Sequence, residues 1–399
     1  MSDTSLTELT QFADLLLQPR DPILLRDGRP FAAEPGARAR TLPWPMPHTV
    51  AGALRTHVGE TQDFDWDTDG PERARAMHLR GPLAATQDAE GIWQILVPAP
   101  RDAVFFEPEA GKPDLLCLRP LPETQMPAGA GVLSPAQGLR PLEVTEDRKP
   151  RTTPAFWPLA AAADWLSQAR PVRFDPGDAE ALPTETRTFV KIDESTQTGE
   201  PGMLFSADLL CFADFATPPS SVKATATPAQ ALLCRLSGAG AVAAGPQFLP
   251  LGGERRMATV SPADGVAWPH LADYPGLAGE LAGIRRLRMQ LVTPAVLAGG
   301  WKPWGGETLT GELRSVPGLR LTLVGAAVGR PSPVSGWDLK AKGPKPLRYA
   351  APAGSVYFFE VVGSDGLTAG QAEALFLQPV NGDAADDADG FGLALPGVW

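Results

Sequence analysis

The chain has 399 residues, more than a single domain usually holds, so its length predicts two domains around separate cores. Taken as a total, its formal net charge of −11 at pH 7 argues against a nucleic-acid partner. No apolar run approaches the roughly 18 residues of a membrane span, and the polar N-terminus lacks the pattern of a signal peptide. We therefore expect a soluble, cytoplasmic protein with no membrane partner.

The first predicted element is a strand. Residues 12–18 and 21–25 are rich in apolar side chains and are interrupted by Pro19 and Pro22, which removes two main-chain donors. A bent, two-part strand at the edge of a sheet tolerates this loss, whereas a helix does not. We predict such an edge element.

A short helix follows. Prolines at every second position exclude a helix through residue 46; they are Pro43, Pro45 and Pro47. Residues 49–58 then have a helical apolar pattern. Thr49 or His48 is the expected cap, because the first N–H groups of a helix need acceptors.

The middle of the chain predicts an insertion and a hairpin. Residues 60–185 form a long acidic, proline-rich region with strands at 92–97 and 103–107, and we interpret it as an insertion. Residues 188–193 and 203–212 flank the turn-rich sequence ESTQTGEPG, which predicts a hairpin.

The remaining pattern predicts a second domain that begins near Ser261. Before it, a helix is expected at 228–236, and a glycine-rich stretch over 238–253 leads into the basic sequence GGERRM. The expected strands after it are 287–292, 319–328 and 355–362, followed by a helix at 368–377.

The element order is strand, helix, two strands, helix, strand, repeated twice with degeneration, which is the order of split βαβ units. We therefore predict an α+β chain of two tandem ferredoxin-like (RRM-like) domains with a long insertion in the first. The first domain spans residues 1–262, with the insertion at about 60–185, and the second spans residues 263–399.

The cysteines and histidines predict no metal site. The cysteines are odd in number and show no CxxC spacing, which is typical of free, buried thiols in a reducing compartment; they are Cys117, Cys211 and Cys234. The histidines are too scattered to form a zinc motif with them. We expect neither a metal ion nor a cofactor.

Two segments are locally basic. In the first basic segment, residues 20–57, the cations outnumber the acids, and they do so again in the second basic segment, residues 329–348. Because salt screens charges beyond roughly 8–10 Å, local charge matters more than the total. An acidic chain of this kind suits a subunit that binds a polyanion on one face and proteins elsewhere.

An ordered set of motifs resembles a known family. The motifs are DPILLRDGRPF, LPWPMPHTVAGALRT, FVKIDESTQTGEPGMLF, LGGERRMA, LVTPAVLAGGWKP, GWDL, PKPLRYAAPAGSVYFFE and FGLA. Their order between residues 15 and 393 resembles the third-subunit family of the Cmr complex, the RNA-guided effector of type III-B CRISPR systems, within the RAMP superfamily.

The resemblance implies two RRM-like domains and no catalytic activity. It also implies a role in antiviral defence, in which the subunit grips the repeat-derived 5′ tag of the guide RNA. The implied protein partners are the large polymerase-like subunit and the backbone RAMP subunits, with this subunit at the foot of the backbone filament.

Elementary chemistry supports the same role. Single-stranded RNA is held by cations on phosphates, by backbone N–H groups in tight turns and by flat side chains that stack on bases. The RNA-binding candidates are Arg26, Arg29, Arg38, Arg40, Trp44, His48, Thr49, Lys191, Gly252, Gly253, Arg255, Arg256, Trp337, Lys340, Lys342 and Lys345.

Many candidates also have a purely structural interpretation. Arg26 can pair with a surface acid, Trp44 and Trp337 can belong to the core, and Lys191 can be an ordinary surface lysine. The lysines of the second basic segment can form a solvated loop. The family usually has a small hydroxyl residue where this chain has His48, so no contact is carried over to that position.

Two other functions compete with RNA binding. The first is a RAMP-type, metal-independent endoribonuclease that processes guide RNA, with His48 or His57 as general base. No lysine or tyrosine partner stands at a recognisable spacing from either histidine. The second is a protein scaffold that uses only the acidic C-terminal residues.

A salt titration of guide-RNA binding distinguishes the RNA-binding subunit from the scaffold. Phosphate contacts release counterions, so affinity should fall steeply as salt rises. A scaffold without RNA contacts should show no salt dependence of its own, and that result would contradict the RNA-binding prediction.

Overall fold

The computed structural model describes residues 11–26, 37–88, 90–125, 138–168, 181–212, 230–239, 242, 245–338, 343–363 and 365–399. The helices are α1 (Pro47–Thr61), α2 (Gly70–Ala76), α3 (Leu159–Gln168), α4 (Pro275–Leu281), α5 (Ala369–Leu375) and α6 (Ala384–Ala388).

The strands are β1 (Phe12–Pro19), β2 (Arg38–Ala39), β3 (Leu79–Gln87), β4 (Trp93–Pro98), β5 (Ala103–Phe105), β6 (Leu115–Cys117), β7 (Arg119–Pro120), β8 (Leu142–Glu143), β9 (Phe156–Pro158), β10 (Thr184–Ile192), β11 (Gly199–Leu210), β12 (Gln230–Ser237), β13 (Gln247–Pro250), β14 (Met257–Pro262), β15 (Arg286–Leu291), β16 (Thr310–Glu312), β17 (Arg320–Ala327), β18 (Ser332–Val334), β19 (Trp337–Asp338), β20 (Gly343–Pro344), β21 (Arg348–Ala350), β22 (Val356–Val361), β23 (Gln378–Pro379) and β24 (Leu393–Val398). This predominance of strands confirms the α+β class, while the tandem ferredoxin-like arrangement stays a prediction.

The chain divides into two compact units, each assembled from separate segments. The first comprises the described residues of Met1–Gln94, Ala181–Ala267 and Pro333–Arg348, and the second those of Ile95–Glu180, Trp268–Ser332 and Tyr349–Trp399. The domain boundary at residue 262 and the insertion at about 60–185 stay predictions.

The main sheet of the first unit has the strand order β13, β14, β1, β12, β3, and its neighbours are antiparallel. The prediction of an edge element was wrong for β1, since Leu15 pairs with Cys234 on one side and with Pro262 on the other. Pro19 is the last residue of β1 and Pro22 lies beyond it. The prolines therefore end the strand without interrupting its interior.

The helix predicted at residues 228–236 was also wrong, because β12 occupies this position from Gln230 onward. Residues 231–234 are buried without interruption, as expected for a strand covered on both faces. Such a short apolar run has no period of its own, so its sheet neighbours determine its structure.

Helix α1 packs on this sheet and begins earlier than predicted. Pro47 occupies the first turn, where its missing N–H is no loss, and Met46 stands at the N-cap without a side-chain hydrogen bond. The predicted caps, Thr49 and His48, therefore lie inside the first turn and were assigned wrongly. The helix buries Val50, Ala51, Leu54 and Val58 in one core with Leu15, Leu17 and Leu232.

The predicted hairpin of the first unit is confirmed as β10 and β11, and β2 adds to β11 in parallel. The rings of Phe189 and Phe205 stack across it with centroids 5.5 Å apart. At the turn, the Asp193 carboxylate accepts hydrogen bonds from Ser195 and Thr196, which lower its pKa.

The second unit has a sheet with the order β16, β17, β22, β15, β24, β23. Its strands predicted at 287–292, 319–328 and 355–362 are confirmed, as is the helix at 368–377. That helix, α5, begins with a capping box in which Thr368 and Gln371 bind each other's main-chain N–H.

A buried ion pair lies inside the second unit. Arg288 of β15 is 1% exposed and donates through Nη1 to the carboxylate of Asp102, which is 0% exposed, at 2.6 Å. Trp165 of α3 donates from Nε1 to the same carboxylate at 3.0 Å, and its carbonyl accepts from Arg288. The two charges therefore neutralise each other within a hydrogen-bonded network.

The three cysteines are thiols outside any disulfide, as predicted. Cys211 and Cys234 are buried, and burial raises the pKa of Cys234. Cys117 is half-buried. Among the described residues, no helix is both long and apolar enough to cross a membrane.

Asp102→Ala should destabilise the protein strongly, because it leaves the Arg288 guanidinium buried without its counter-charge. The expected loss is about 3–5 kcal/mol, measured by urea or thermal unfolding. Arg314→Ala is the matched control, since Arg314 is 47% exposed in its ion pair with Asp387 and should contribute about 0–1 kcal/mol. Equal stability of the two variants would contradict the buried-pair interpretation.

Candidate nucleic-acid interface

The first turn of α1 lies against the second basic segment at Gly336. A Cβ atom built on Gly336 would lie 3.6 Å from Cδ2 and Nε2 of His48 and 3.6 Å from Cδ of Lys345. The structure thus brings together a candidate from each basic segment, on either side of a half-buried glycine.

The main chain fixes this arrangement. Strands β19 and β20 pair Trp337 with Pro344, and the N–H of Lys345 donates to the carbonyl of Gly336 at 2.8 Å. Lys345 is exposed, whereas His48 is half-buried. The predicted contacts of Lys340 and Lys342 lie outside the described residues.

The main-chain N–H of Thr49 is not available for a phosphate, although its position near the start of α1 suggested that it would be. Its N–H already donates to the carbonyl of Met46 at 3.0 Å. A free N–H at this position, which is what an anion would require, is therefore not provided by Thr49.

Arg38 is held by an acid of the hairpin. Its Nη2 donates to Asp208 Oδ1 at 2.9 Å and to the hydroxyl of Thr186 at 3.4 Å. The hydrogen bond from Arg38, together with that from Thr186, lowers the pKa of Asp208. This contact favours a structural role for Arg38, which ties β2 to the hairpin.

Two further arginines of the first basic segment are exposed, Arg26 and Arg40. Arg40 is exposed beside the same carboxylate, that of Asp208, and its charge helps to lower the pKa of that acid. Arg26 is exposed and forms a backbone bridge with Thr41. Arg29 lies outside the described residues.

Trp44 packs against the core of the first unit. Its ring lies 5.8 Å from that of Phe212, at an angle of 44°, and the side chain is half-buried. This favours the core interpretation over a base-stacking platform. For Trp337 only the main chain is described.

The glycine-rich loop connects β13 and β14 and is packed tightly. Gly252 has a φ of 78°, and a Cβ there would lie 2.7 Å from the carbonyl oxygen of Leu24, which accepts a hydrogen bond from Gly253 N at 2.8 Å. These glycines therefore serve close main-chain packing and do not form an open cradle.

The next residues of this loop carry the cations. Glu254 and Arg255 both have positive φ, 60° and 48°, which is strained for residues with a side chain. The hairpin is closed by a hydrogen bond from Leu251 N to the carbonyl of Arg256 at 2.7 Å. Arg255 is exposed and Arg256 is half-buried, so the loop presents Arg255 to solvent.

Lys191 forms an ion pair across the hairpin with Glu200 at 2.7 Å. This favours the surface-lysine interpretation. Gly336, by contrast, was not among the predicted site residues, although its place in the GWDL motif was a signal of its importance.

Comparison with protein families identifies the chain. The family described as CRISPR-associated protein (Cas_Cmr3) matches residues 15–399. The chain belongs to this family. The resemblance to the third subunit of the Cmr complex is thereby confirmed, and the match extends through both units of this Cas_Cmr3 protein.

Comparison with solved structures gives weaker likenesses. The chain is similar to one in the cryo-EM structure of the Type III-B Cmr-beta bound to cognate target RNA and AMPPnP, state 1, with 13% identity, 86% of each chain covered and a TM-score of 0.44. The chain is also similar to one in the cryo-EM structure of the Type III-B Cmr-beta bound to cognate target RNA, with 14% identity, 86% of each chain covered and a TM-score of 0.44. Similarities with a TM-score this low do not support a functional inference. No curated protein matches the chain.

Gly252→Ala and Arg255→Ala should separate the structure of the loop from its charge. The first places a side chain against Leu24 at positive φ and should cost about 1–3 kcal/mol of stability. Arg255→Ala should melt like wild type but retain guide RNA less well as salt rises. The measurements are thermal unfolding and RNA retention by the assembled complex.

Gly52→Ala is the control for Gly252→Ala, because a Cβ at this position in α1 meets nothing within 4 Å. It should leave stability unchanged or raise it, since alanine is the better helix former. If Gly252→Ala behaved in the same way, the close packing of the loop would not be a constraint.

Proposed function

We propose that this Cas_Cmr3 protein is the non-catalytic, RNA-binding subunit of a type III-B Cmr effector and grips the repeat-derived 5′ tag of the guide RNA. The observation that carries the proposal is the convergence of His48 and Lys345 at Gly336. Family membership supports the place in the complex, and this surface supports the contact with RNA.

The chemistry of the surface suits a strand of unpaired RNA. Lys345 is exposed beside Gly336 and offers a mobile point charge for a phosphate. The half-buried imidazole of His48 forms one wall, from which it can donate a hydrogen bond or contact a base. Such contacts would position a single strand of RNA and would not recognise the sequence of a duplex.

The strand order of both sheets supports the finer fold proposal. Across the sheet of the first unit the strands β14, β1, β12 and β3 follow one another, which is the order 4-1-3-2 when these four are numbered along the chain. Across the sheet of the second unit the order β24, β15, β22, β17 is again 4-1-3-2. A repeated order is what two tandem ferredoxin-like domains require, and α1 and α5 occupy helix positions of that plan.

The proposal includes protein partners. The subunit docks the large polymerase-like subunit onto the backbone RAMP subunits, in the cytoplasm and without a membrane. The charge distribution supports separate RNA and protein faces, since no Lys or Arg follows Arg348 while the last segment is rich in acids.

One observation favours a second candidate function, a metal-independent endoribonuclease. Sequence spacing offered no cationic partner for a histidine base, yet Lys345 lies beside His48 in the structure. In such an enzyme the imidazole accepts the proton of a 2′-hydroxyl, and the 2′-oxygen attacks the adjacent phosphate and displaces the 5′-oxygen, which takes up a proton as it leaves. The lysine stabilises the charge on the attacked phosphate. His57 is less suited, because its Nε2 is hydrogen-bonded to Gln247 at 2.6 Å.

Lys345→Ala and His48→Ala distinguish the two functions. In the assembled complex, Lys345→Ala should weaken guide-RNA retention and reduce the salt slope by about 0.7, the value of one phosphate contact to a single strand. His48→Ala should leave RNA cleavage and guide processing at the wild-type rate. Lys191→Ala is the matched control, because that lysine is already paired with Glu200.

The opposite pattern would establish the enzyme. If His48→Ala abolished RNA processing by several orders of magnitude while RNA occupancy and assembly were intact, the non-catalytic proposal would be wrong. If Lys345→Ala retained RNA as tightly as Lys191→Ala at every salt concentration, the surface at Gly336 would not contact RNA.

A further inference from the structure

A surface turn of the second unit holds an arginine between two glycine loops. The turn spans residues 100–103 and is closed by a hydrogen bond from Ala103 N to Pro100 O at 3.1 Å. The N–H of Arg101 donates to the carbonyl of Gly354 at 2.9 Å. Arg101 was not among the residues that the sequence indicated.

The guanidinium of Arg101 lies directly on Gly329. A Cβ built on Gly329 would come within 2.5 Å of Cζ, 2.6 Å of Nη2 and 2.7 Å of Nε. Three atoms of one planar group at nearly equal distances show that the group lies over the position that a side chain would fill. A side chain at residue 329 would have to displace the guanidinium from this position.

The buried ion pair orients the turn. Asp102 points inward, where Arg288 and Trp165 hold its carboxylate. Its neighbour Arg101 is exposed. The network inside the second unit therefore fixes which of the two adjacent charged residues faces solvent.

The chain segments that meet at Arg101 carry positive charge although the chain as a whole is acidic. In residues 98–101, 328–331 and 352–354, Arg101 and Arg330 are the charged residues, and both are exposed. The charge of Asp102 is neutralised by Arg288. Within the described part of the chain, no carboxylate forms an ion pair with Arg101.

We propose that Arg101, supported by Gly329 and Gly354 and assisted by Arg330, binds a backbone phosphate of single-stranded RNA. The inference rests on the proposed function and adds a second contact region for the guide RNA. A planar guanidinium matches a phosphate through two parallel hydrogen bonds, and the main-chain bond from Arg101 to Gly354 fixes the loop that carries this guanidinium.

The surroundings favour RNA over an acidic protein. Protein interfaces need apolar anchors at their centre. None of the large exposed hydrophobic side chains in the described chain lies on these three loops, which instead contain proline, alanine and glycine at their tips. Such loops permit close approach of a sugar-phosphate backbone.

The test compares variants in the assembled effector complex with its guide RNA as the probe. Arg101→Gln removes the charge, Arg101→Lys keeps the charge without the planar fork, and Gly329→Ala displaces the guanidinium without changing the charge. Guide-RNA retention is measured as salt is raised. Arg314→Gln, at an exposed but paired arginine of the same unit, is the control.

Arg101→Gln is expected to weaken retention about tenfold and to lower the salt slope by about 0.7. Gly329→Ala should weaken retention with the slope nearly unchanged, and Arg101→Lys should fall between wild type and Arg101→Gln. Both Arg101 variants should melt like wild type, because the group is exposed.

Three outcomes would overturn the inference. Wild-type retention by Arg101→Gln, with Lys345→Ala still defective, would remove Arg101 while leaving the proposed function intact. Loss of a neighbouring subunit from the complex, with unchanged RNA retention, would assign Arg101 to a protein contact. A wild-type complex whose subunit makes no RNA contact would overturn both proposals together.

Discussion

Close approach at glycine is the constraint on which the cationic surfaces of this acidic chain depend. At Gly252 a loop meets the carbonyl of Leu24, at Gly336 the side chains of His48 and Lys345 both lie near the place of the missing Cβ, and at Gly329 the Arg101 guanidinium lies over that place. A long cationic side chain on a free loop loses conformational entropy when it binds. Loops whose main chain is fixed, as at Lys345 and Arg101, keep their charges at defined places on the surface despite a net charge of −11.

Much of the fold could be predicted where local signals agree with the final structure. Strands β15, β17 and β22 combine a strong apolar pattern with clear turns, and α5 has its cap in Thr368. The errors fall where a tertiary neighbour determines the structure. Strand β12 is buried on both faces and so has no alternating pattern, and β1 gains partners on both sides from segments far along the chain.

The sequence predicted which residue types form the candidate site, but it did not predict which of these residues lie next to each other. The sequence shows which segments are basic and where glycine permits a turn. It does not show that Arg38 is bound to Asp208, 170 positions away, or that Lys345 lies beside His48. Such partners arise only when the sheet and its helix have brought distant segments together. A lysine or arginine in a basic segment is therefore only a candidate for RNA binding until the structure shows whether an acidic residue already pairs with it. Arg101 is the opposite case, because it lies in a segment that the sequence indicated to be an acidic insertion and was not a candidate.

The buried pair of Asp102 and Arg288 links the interior of the second unit to its surface. A buried ion pair has a large desolvation cost, and apolar side chains of similar volume often give equal or greater stability. Stability alone therefore does not account for the pair. Apolar replacements would not reproduce the hydrogen bonds that join Asp102 to Trp165 and Arg288 to the main chain of α3. Those bonds fix the orientation of the turn at residues 100–103, and that orientation leaves the next charge along the chain, Arg101, on the surface. We infer that the pair serves to position this turn, because holding Asp102 in the core keeps Arg101 directed toward solvent.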